Sequence, residues 1–177
     1  MKGIIFSEFI SLVEDKFGLE TCQSMLDENA DPGIYTSVGT YDHRDLIKLI
    51  NSLSKLTGIS CPALQQVYGE SVFRHLFDSM PALEGKYENT FDFIKSVEVS
   101  IHSEVKKLYP QAKPPRFSFI SETSSELVMD YHSARCLSHV CFGLIKGCAN
   151  YFNQEVAIDM APLSQDNSEV RFTITYV

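Results

Sequence analysis

One histidine stands in a segment where apolar residues recur at helical spacing and predict a long helix beginning near Thr90. The apolar stripe runs toward Tyr109 and comprises Phe91, Ile94, Val97, Ile101, Val105 and Leu108. At about 100° per residue, His102 lies about 80° from Ile94, on the flank of that stripe. A neutral imidazole there could be a single axial ligand of iron, copper, zinc or nickel. Alternatively, it is a histidine at the edge of the core, bonded to a backbone carbonyl.

A phenol, a hydroxyl and a guanidinium follow later, in the run Tyr131-His132-Ser133-Ala134-Arg135. Residues two apart on a strand share a face, so Tyr131 and Ser133 project together at the end of a predicted strand. We expect Arg135 in the first turn of the next helix, where its fork and the helix N-terminus favour a carboxylate. The alternative is structural, with Ser133 as a helix cap and Arg135 solvated on the surface.

Helices predicted through the first half of the chain form part of the framework for these residues. Apolar spacing indicates one helix over residues 5–17, ended by Gly18, and another over residues 41–56. A further helix starts at Ser60-Cys61-Pro62, because proline is tolerated in the first turn. Its expected buried face comprises Val67, Phe73, Leu76 and Phe77.

The second half of the chain mixes strand and helix patterns. Alternating polar and apolar residues predict a hairpin from strands at 117–121 and 126–132. A long helix is expected over 134–152, and a second hairpin from strands near 156–160 and 170–176. The order of helices, hairpin, helix and hairpin indicates an α+β fold with a small antiparallel sheet.

Composition excludes several classes of function. The 177 residues carry 15 Lys and Arg against 23 Asp and Glu, a net charge of -8, which leaves no electrostatic footprint for nucleic acid or an anionic membrane. No run approaches the roughly 20 apolar residues of a membrane span. The five cysteines, an odd number without a Cys-x-x-Cys pair, favour reduced thiols and a cytoplasmic location.

The motifs together resemble the H-NOX family, which comprises haem-based gas sensors related to the haem domain of soluble guanylate cyclase. The resemblance extends over essentially the whole chain. It is carried by His102, by Pro114-Pro115-Arg116 and by the Tyr-x-Ser-x-Arg motif at 131–135. The start Met1-Lys2-Gly3-Ile4-Ile5 and the run Phe142-Gly143-Leu144 are also similar to that family.

The resemblance implies a role for each motif residue. His102 would be the proximal ligand of a haem b iron, and Tyr131, Ser133 and Arg135 would bind the haem propionates. Pro115 would press on the porphyrin and hold it non-planar. Residues 1–177 would then form one sensor domain with a helical part at about 1–80, an α/β part at about 81–177, and haem between the two parts.

The distal side of the haem would decide which gas binds. Members that bind dioxygen carry a tyrosine donor at the position of Val140. Because valine has no donor, we expect nitric oxide and carbon monoxide to bind and dioxygen to be excluded. The rest of the apolar wall would comprise Ile5, Phe9, Leu76 and Leu144.

The resemblance also implies how a signal would leave the protein. Nitric oxide would weaken the bond between iron and His102, and the two parts of the domain could then shift against each other. The output would pass to a separate partner, such as a histidine kinase, a diguanylate cyclase or a phosphodiesterase that acts on cyclic-di-GMP.

Three other interpretations remain at this point: a haem enzyme of peroxidase type, a thiol-dependent catalyst using Cys141 with His139, and a haem-free interaction module. A peroxidase needs distal acid–base groups, and the expected distal wall has none. A structural zinc is not expected, because a closed site needs four ligands and Cys136, His139 and Cys141 supply three. The histidines other than His102 are interpreted as ordinary polar or core residues.

Overall fold

The first half of the chain is helical in the computed structural model, which describes all 177 residues apart from the side chain of Leu108. The four helices are α1 (Gly3–Phe17), α2 (Leu19–Glu28), α3 (His43–Thr57) and α4 (Cys61–Asp78). Gly18, at φ 85°, separates α1 from α2, because few other residues adopt that backbone conformation. The Ser60 side chain caps α4 by accepting a hydrogen bond from the Ala63 backbone N–H.

The segment that carries His102 is helical but not one uniform α-helix. It comprises α5 (Thr90–Ser96), a π-helical turn (Val97–Ile101) and α6 (His102–Leu108). The prediction of a single regular helix is therefore wrong in the middle, because the wide turn shifts the helical phase and apolar periodicity cannot register that shift. Val97 and Ile101 pack against the core, whereas Val99 between them is 75% exposed. The Leu108 side chain of the predicted stripe lies outside the described residues.

A four-stranded antiparallel sheet occupies the second half, as the alternating patterns predict. The strands are β1 (Arg116–Glu122), β2 (Glu126–His132), β3 (Val156–Pro162) and β4 (Glu169–Tyr176), in the spatial order β1-β2-β4-β3. On one face of β2, Leu127, Met129 and Tyr131 are buried. The predicted α+β fold with a small antiparallel sheet is confirmed.

The helix after β2, α7 (Ser138–Tyr151), begins four residues later than the sequence predicts. Residues 134–137 are not helical: a turn is closed by a hydrogen bond from the Cys136 N–H to the Ser133 carbonyl, and Cys136 has a positive φ of 54°. Arg135 is therefore not in the first turn of a helix, and Leu137 rather than Ser133 is the cap residue. The prediction was wrong because the side chains of this segment are compatible with a helix. In the structure, the Ser133 hydroxyl accepts a hydrogen bond from the Arg135 backbone N–H and stabilises the turn instead.

Buried side chains form two hydrophobic clusters. The N-terminal core takes its buried members from α1 to α4 and ends at Val72, and the C-terminal core starts at Phe73 and includes residues of α5, α7 and the sheet. Leu144 of α7 packs against both cores. Val67, expected in the buried face of α4, is 45% exposed, and Leu64, Tyr68 and Val72 are buried in its place.

Helices α4 and α7 cross at very close range where both carry glycine. A Cβ atom at Gly69 would lie 2.2 Å from the Val140 carbonyl oxygen, and one at Gly143 would lie 2.1 Å from the Gln66 carbonyl oxygen. Both positions therefore require glycine for the backbones to approach. Among the residues that the structure describes, no helix has both the length and the hydropathy needed to span a membrane.

Candidate functional site

His102 is held by a carboxylate at the start of α6. Its side chain is 12% exposed, and its Nδ1 lies 3.2 Å from Oε2 of Glu98. Burial lowers the pKa of His102 below its usual value, and the interaction with Glu98 opposes that effect. A neutral imidazole that donates from Nδ1 keeps the lone pair on Nε2, which is the state that a metal ligand requires.

The ring of His102 lies against β1. It stacks on Phe117, with ring centroids 5.6 Å apart and an interplanar angle of 21°. Phe117 in turn lies 6.1 Å from the ring of Tyr131. The histidine and the tyrosine of the sequence motifs are thus brought to the same region by one intervening aromatic ring. Sequence reasoning missed Glu98 and Phe117, although Glu98 stands four residues before His102, a spacing at which helical side chains interact.

The three motif residues at the end of β2 and in the turn after it lie close together. Tyr131 is 2% exposed, and burial raises the pKa of its phenol to about 12, with Ser133 acting in the opposite direction. The phenol therefore stays a neutral hydrogen-bond donor at any physiological pH. The strand places Tyr131 and the turn places Ser133 and Arg135, so the predicted grouping of these residues is present without the predicted helix terminus.

Arg135 is half-buried, and none of the ion pairs among the described side chains involves it. Burial lowers the pKa of its guanidinium, since desolvation disfavours the charged form. The pKa values of the Met1 amine and of His43 are also lowered, mainly by burial and secondarily by the charge of Arg135. A half-buried guanidinium without an acidic partner among the described side chains suits an anionic ligand group.

The residues proposed for the distal wall gather around the N-terminal core. Phe9 is buried within it, and Ile5, Leu76, Val140 and Leu144 are partly buried against it. Tyr68 brings a hydroxyl to this region, but that hydroxyl donates to the Ile5 carbonyl oxygen at 2.6 Å. The wall is therefore apolar, and its nearby phenol is already engaged.

The thiol-dependent interpretation receives no support from the geometry. Cys141 is buried, and burial raises the pKa of its thiol to about 12, so the reactive thiolate is scarce at neutral pH. His139 has its Nδ1 3.1 Å from Nε2 of Gln66. The five cysteines are all free thiols, and the described residues contain no group of three or more His, Cys, Asp or Glu side chains that could hold a metal ion.

Comparisons with known proteins identify a family for this chain. Residues 2–160 match the family described as Haem-NO-binding. The chain is similar to an unliganded Fe(II) H-NOX protein from K. algicida, at 37% identity and a TM-score of 0.93, covering 100% of this chain and 97% of that chain. It is also similar to an H-NOX from Shewanella woodyi in the Fe(II)CO ligation state, at 35% identity and a TM-score of 0.84, covering 100% and 95%.

A more distant structure shares the fold alone. An H-NOX protein from S. oneidensis in the Fe(II)NO ligation state has 21% identity and a TM-score of 0.90, covering 100% of this chain and 99% of that chain. A search of curated proteins found no match.

Proposed function

Because this chain belongs to the H-NOX family, whose members are haem-binding sensor domains rather than enzymes, we propose that it senses nitric oxide at a ferrous haem b. The observation that carries the proposal is the setting of His102: a mostly buried imidazole whose Nδ1 lies 3.2 Å from a carboxylate oxygen of Glu98. Iron-ligating histidines are oriented in this way, by a partner on the nitrogen that does not bind the metal. Haem supplies the iron at which a diatomic gas binds.

The motif residues fit the carboxylates of haem. We assign Tyr131, Ser133 and Arg135 to the propionates, because Arg135 is half-buried without an acidic partner among the described side chains and Tyr131 is a buried neutral donor. An uncompensated buried charge is costly, and an anionic ligand removes that cost. Pro115, partly buried just before β1, is the residue we assign to contact with the porphyrin.

Gas selectivity in this proposal depends on the absence of a donor. Val140 replaces the tyrosine of dioxygen-binding members, and the Tyr68 hydroxyl is bound to the Ile5 carbonyl. The chain therefore offers an apolar wall that retains nitric oxide and carbon monoxide but not dioxygen. The Shewanella woodyi relative was solved in the Fe(II)CO ligation state.

The proposed output is a movement between two parts of the domain. We propose a helical part at about 1–80 and an α/β part at about 81–177 with haem between them; the presence of two separate hydrophobic cores, which change over between Val72 and Phe73, supports two parts. Release of His102 would free α6 from the haem side and shift one core against the other. We propose that a separate cytoplasmic enzyme responds to that shift, namely a histidine kinase, a diguanylate cyclase or a phosphodiesterase.

Absorption spectroscopy of the reduced protein tests this function. We expect a five-coordinate ferrous spectrum that is unchanged in air and shifts on addition of nitric oxide or carbon monoxide. His102→Gly should lose that spectrum and regain it with added imidazole, whereas His132→Gly should keep it. A stable oxygenated spectrum of the unmodified protein would contradict the selectivity, and an unchanged spectrum in His102→Gly would contradict the ligand assignment.

A further inference from the structure

Glu98 connects two parts of the site that are far apart in the sequence. One oxygen, Oε2, lies 3.2 Å from Nδ1 of His102 and accepts a hydrogen bond from the backbone N–H of Phe117 at 3.1 Å. Phe117 follows Pro115 by two residues at the start of β1. A single carboxylate oxygen therefore joins the helix of His102 to the strand that follows the proline motif.

Glu98 lies in the π-helical turn that directly precedes His102. Glu98 is the second residue of that turn, and His102 follows its end directly. Wide turns of this kind are rare and occur frequently at functional sites, because they redirect side chains without ending the helix. The Glu98 side chain is 27% exposed, so the contact with His102 is shielded from most of the solvent.

We infer that Glu98 is a positioning residue that sets the strength of the bond between His102 and iron and transmits displacement of His102 to the start of β1. This inference rests on the proposed function. A carboxylate that accepts from Nδ1 fixes the ring orientation and raises the basicity of Nε2, which strengthens the metal bond. Charge-assisted hydrogen bonds are roughly twice as strong as neutral ones, so the negative charge of Glu98 matters as well as its shape.

The shared oxygen also determines the route of displacement. If His102 leaves the iron and moves, its hydrogen bond to Oε2 must lengthen or carry Glu98 with it. In either case the Phe117 N–H, which donates to the same oxygen, changes its environment. Pro115 lies two residues away, so a change at the ligand side reaches the segment that contacts the porphyrin.

Resonance Raman spectroscopy of the ferrous protein measures the proposed effect directly. Glu98→Gln keeps the size of the side chain and removes its charge, and we expect the iron–histidine stretch to shift to lower frequency. The variant should also lose haem about tenfold faster, as is typical when such a partner is removed. Glu104→Gln is the matched control, because Glu104 lies on α6 and pairs with Lys107 at the surface. The iron–histidine stretch of that variant should stay at the wild-type frequency.

The outcomes separate this inference from the proposed function. If His102→Gly behaves as expected but Glu98→Gln and Glu104→Gln have the same stretching frequency, the role of Glu98 is wrong and the sensor assignment stands. If the wild-type protein binds no haem through His102, the proposed function itself fails.

A measurement on the wild-type protein covers the case in which Glu98→Gln does not fold. In the carbon monoxide complex, NMR should show the His102 Nδ1–H proton far downfield and protected from exchange, as expected for a hydrogen bond to a carboxylate. The Phe117 amide should also be protected. Rapid exchange of the Nδ1–H proton with solvent would overturn the inference.

Discussion

The crossing of α4 and α7 provides the sharpest structural perturbation, because it depends on glycine and adjoins the proposed distal wall. In Gly143→Ala, the new Cβ would lie 2.1 Å from the Gln66 carbonyl oxygen and 2.7 Å from the Glu70 backbone nitrogen. Ordinary contact begins at 3.4 Å, so the two helices must separate locally by about 1.3 Å. Both clashing atoms belong to the backbone, so a change of side-chain rotamer cannot relieve the clash.

The loss of folding free energy in Gly143→Ala can be worked out from general magnitudes. Overpacking of a tight core costs about 1–3 kcal/mol, and a backbone clash of this size belongs at the upper end of that range. Replacing glycine by alanine within a helix returns about 1 kcal/mol. The net loss is about 2 kcal/mol, which corresponds to a Tm lower by about 4–8 °C for a chain of this length.

The assay combines thermal unfolding of the haem-loaded protein with carbon monoxide binding kinetics. Gly143 is next to Leu144, which packs against both cores, so we expect the Gly143→Ala variant to change both Tm and the carbon monoxide association rate. Gly58→Ala is the control, since Gly58 has a φ of 73° and no atom within 4 Å of its added Cβ. It should lower Tm through backbone strain alone and leave the kinetics unchanged. A Gly143→Ala protein with wild-type Tm and kinetics would refute the reasoning.

Three further predictions concern the gas, the cofactor and the sheet. Val140→Tyr should raise dioxygen affinity about tenfold or more in equilibrium titrations through one added hydrogen bond, whereas Val140→Phe, which adds bulk without a hydroxyl, should not. Arg135→Met should speed haem transfer to an acceptor apoprotein about tenfold, and Arg116→Met, at an exposed site, should not; equal transfer rates would contradict the assignment of Arg135 to the haem propionates. Asp130→Asn should lower the free energy of unfolding in urea at pH 7 by about 1–2 kcal/mol, because it breaks the ion pair with Arg171. That pair lowers the pKa of Asp130, so the difference in unfolding free energy between wild type and variant should shrink as the pH falls below about 4. A difference that stays constant down to pH 3 would argue against this origin.

Sequence patterns predict the type of each element better than its ends or irregularities. The strand hairpins are visible because alternation has a period of two and the sheet buries one face. The start of α7 is not visible, because residues 134–137 have ordinary helix formers and the turn depends on the Ser133 hydroxyl and a positive φ at Cys136. The π-helical turn at Val97–Ile101 is invisible for a related reason, since the spacing of apolar residues alone cannot show where one turn widens.

The residues of the candidate site likewise fall into those that the sequence indicates and those that only the structure shows. His102 and the Tyr-x-Ser-x-Arg motif can be proposed from the sequence, because their order and spacing resemble those of the H-NOX family. Glu98 cannot, since an acidic residue four positions before a histidine on a helix is common and its significance depends on Phe117, which is nineteen residues away. Long-range contacts of this kind are set by tertiary packing and not by local pattern.

The acidic net charge of the chain is compatible with an anion-binding site because electrostatics at Arg135 are local. Charges beyond a Debye length of about 8 Å are largely screened at physiological salt, so the surface carboxylates contribute little there. At Arg135 itself, burial makes the guanidinium charge costly until an anion arrives. If Tyr131 and Arg135 hold the haem propionates as proposed, the cofactor would offset that cost only in the folded state, in which the two side chains are brought together. By linkage, such a cofactor would stabilise the folded protein, and the folded protein would favour an anionic cofactor.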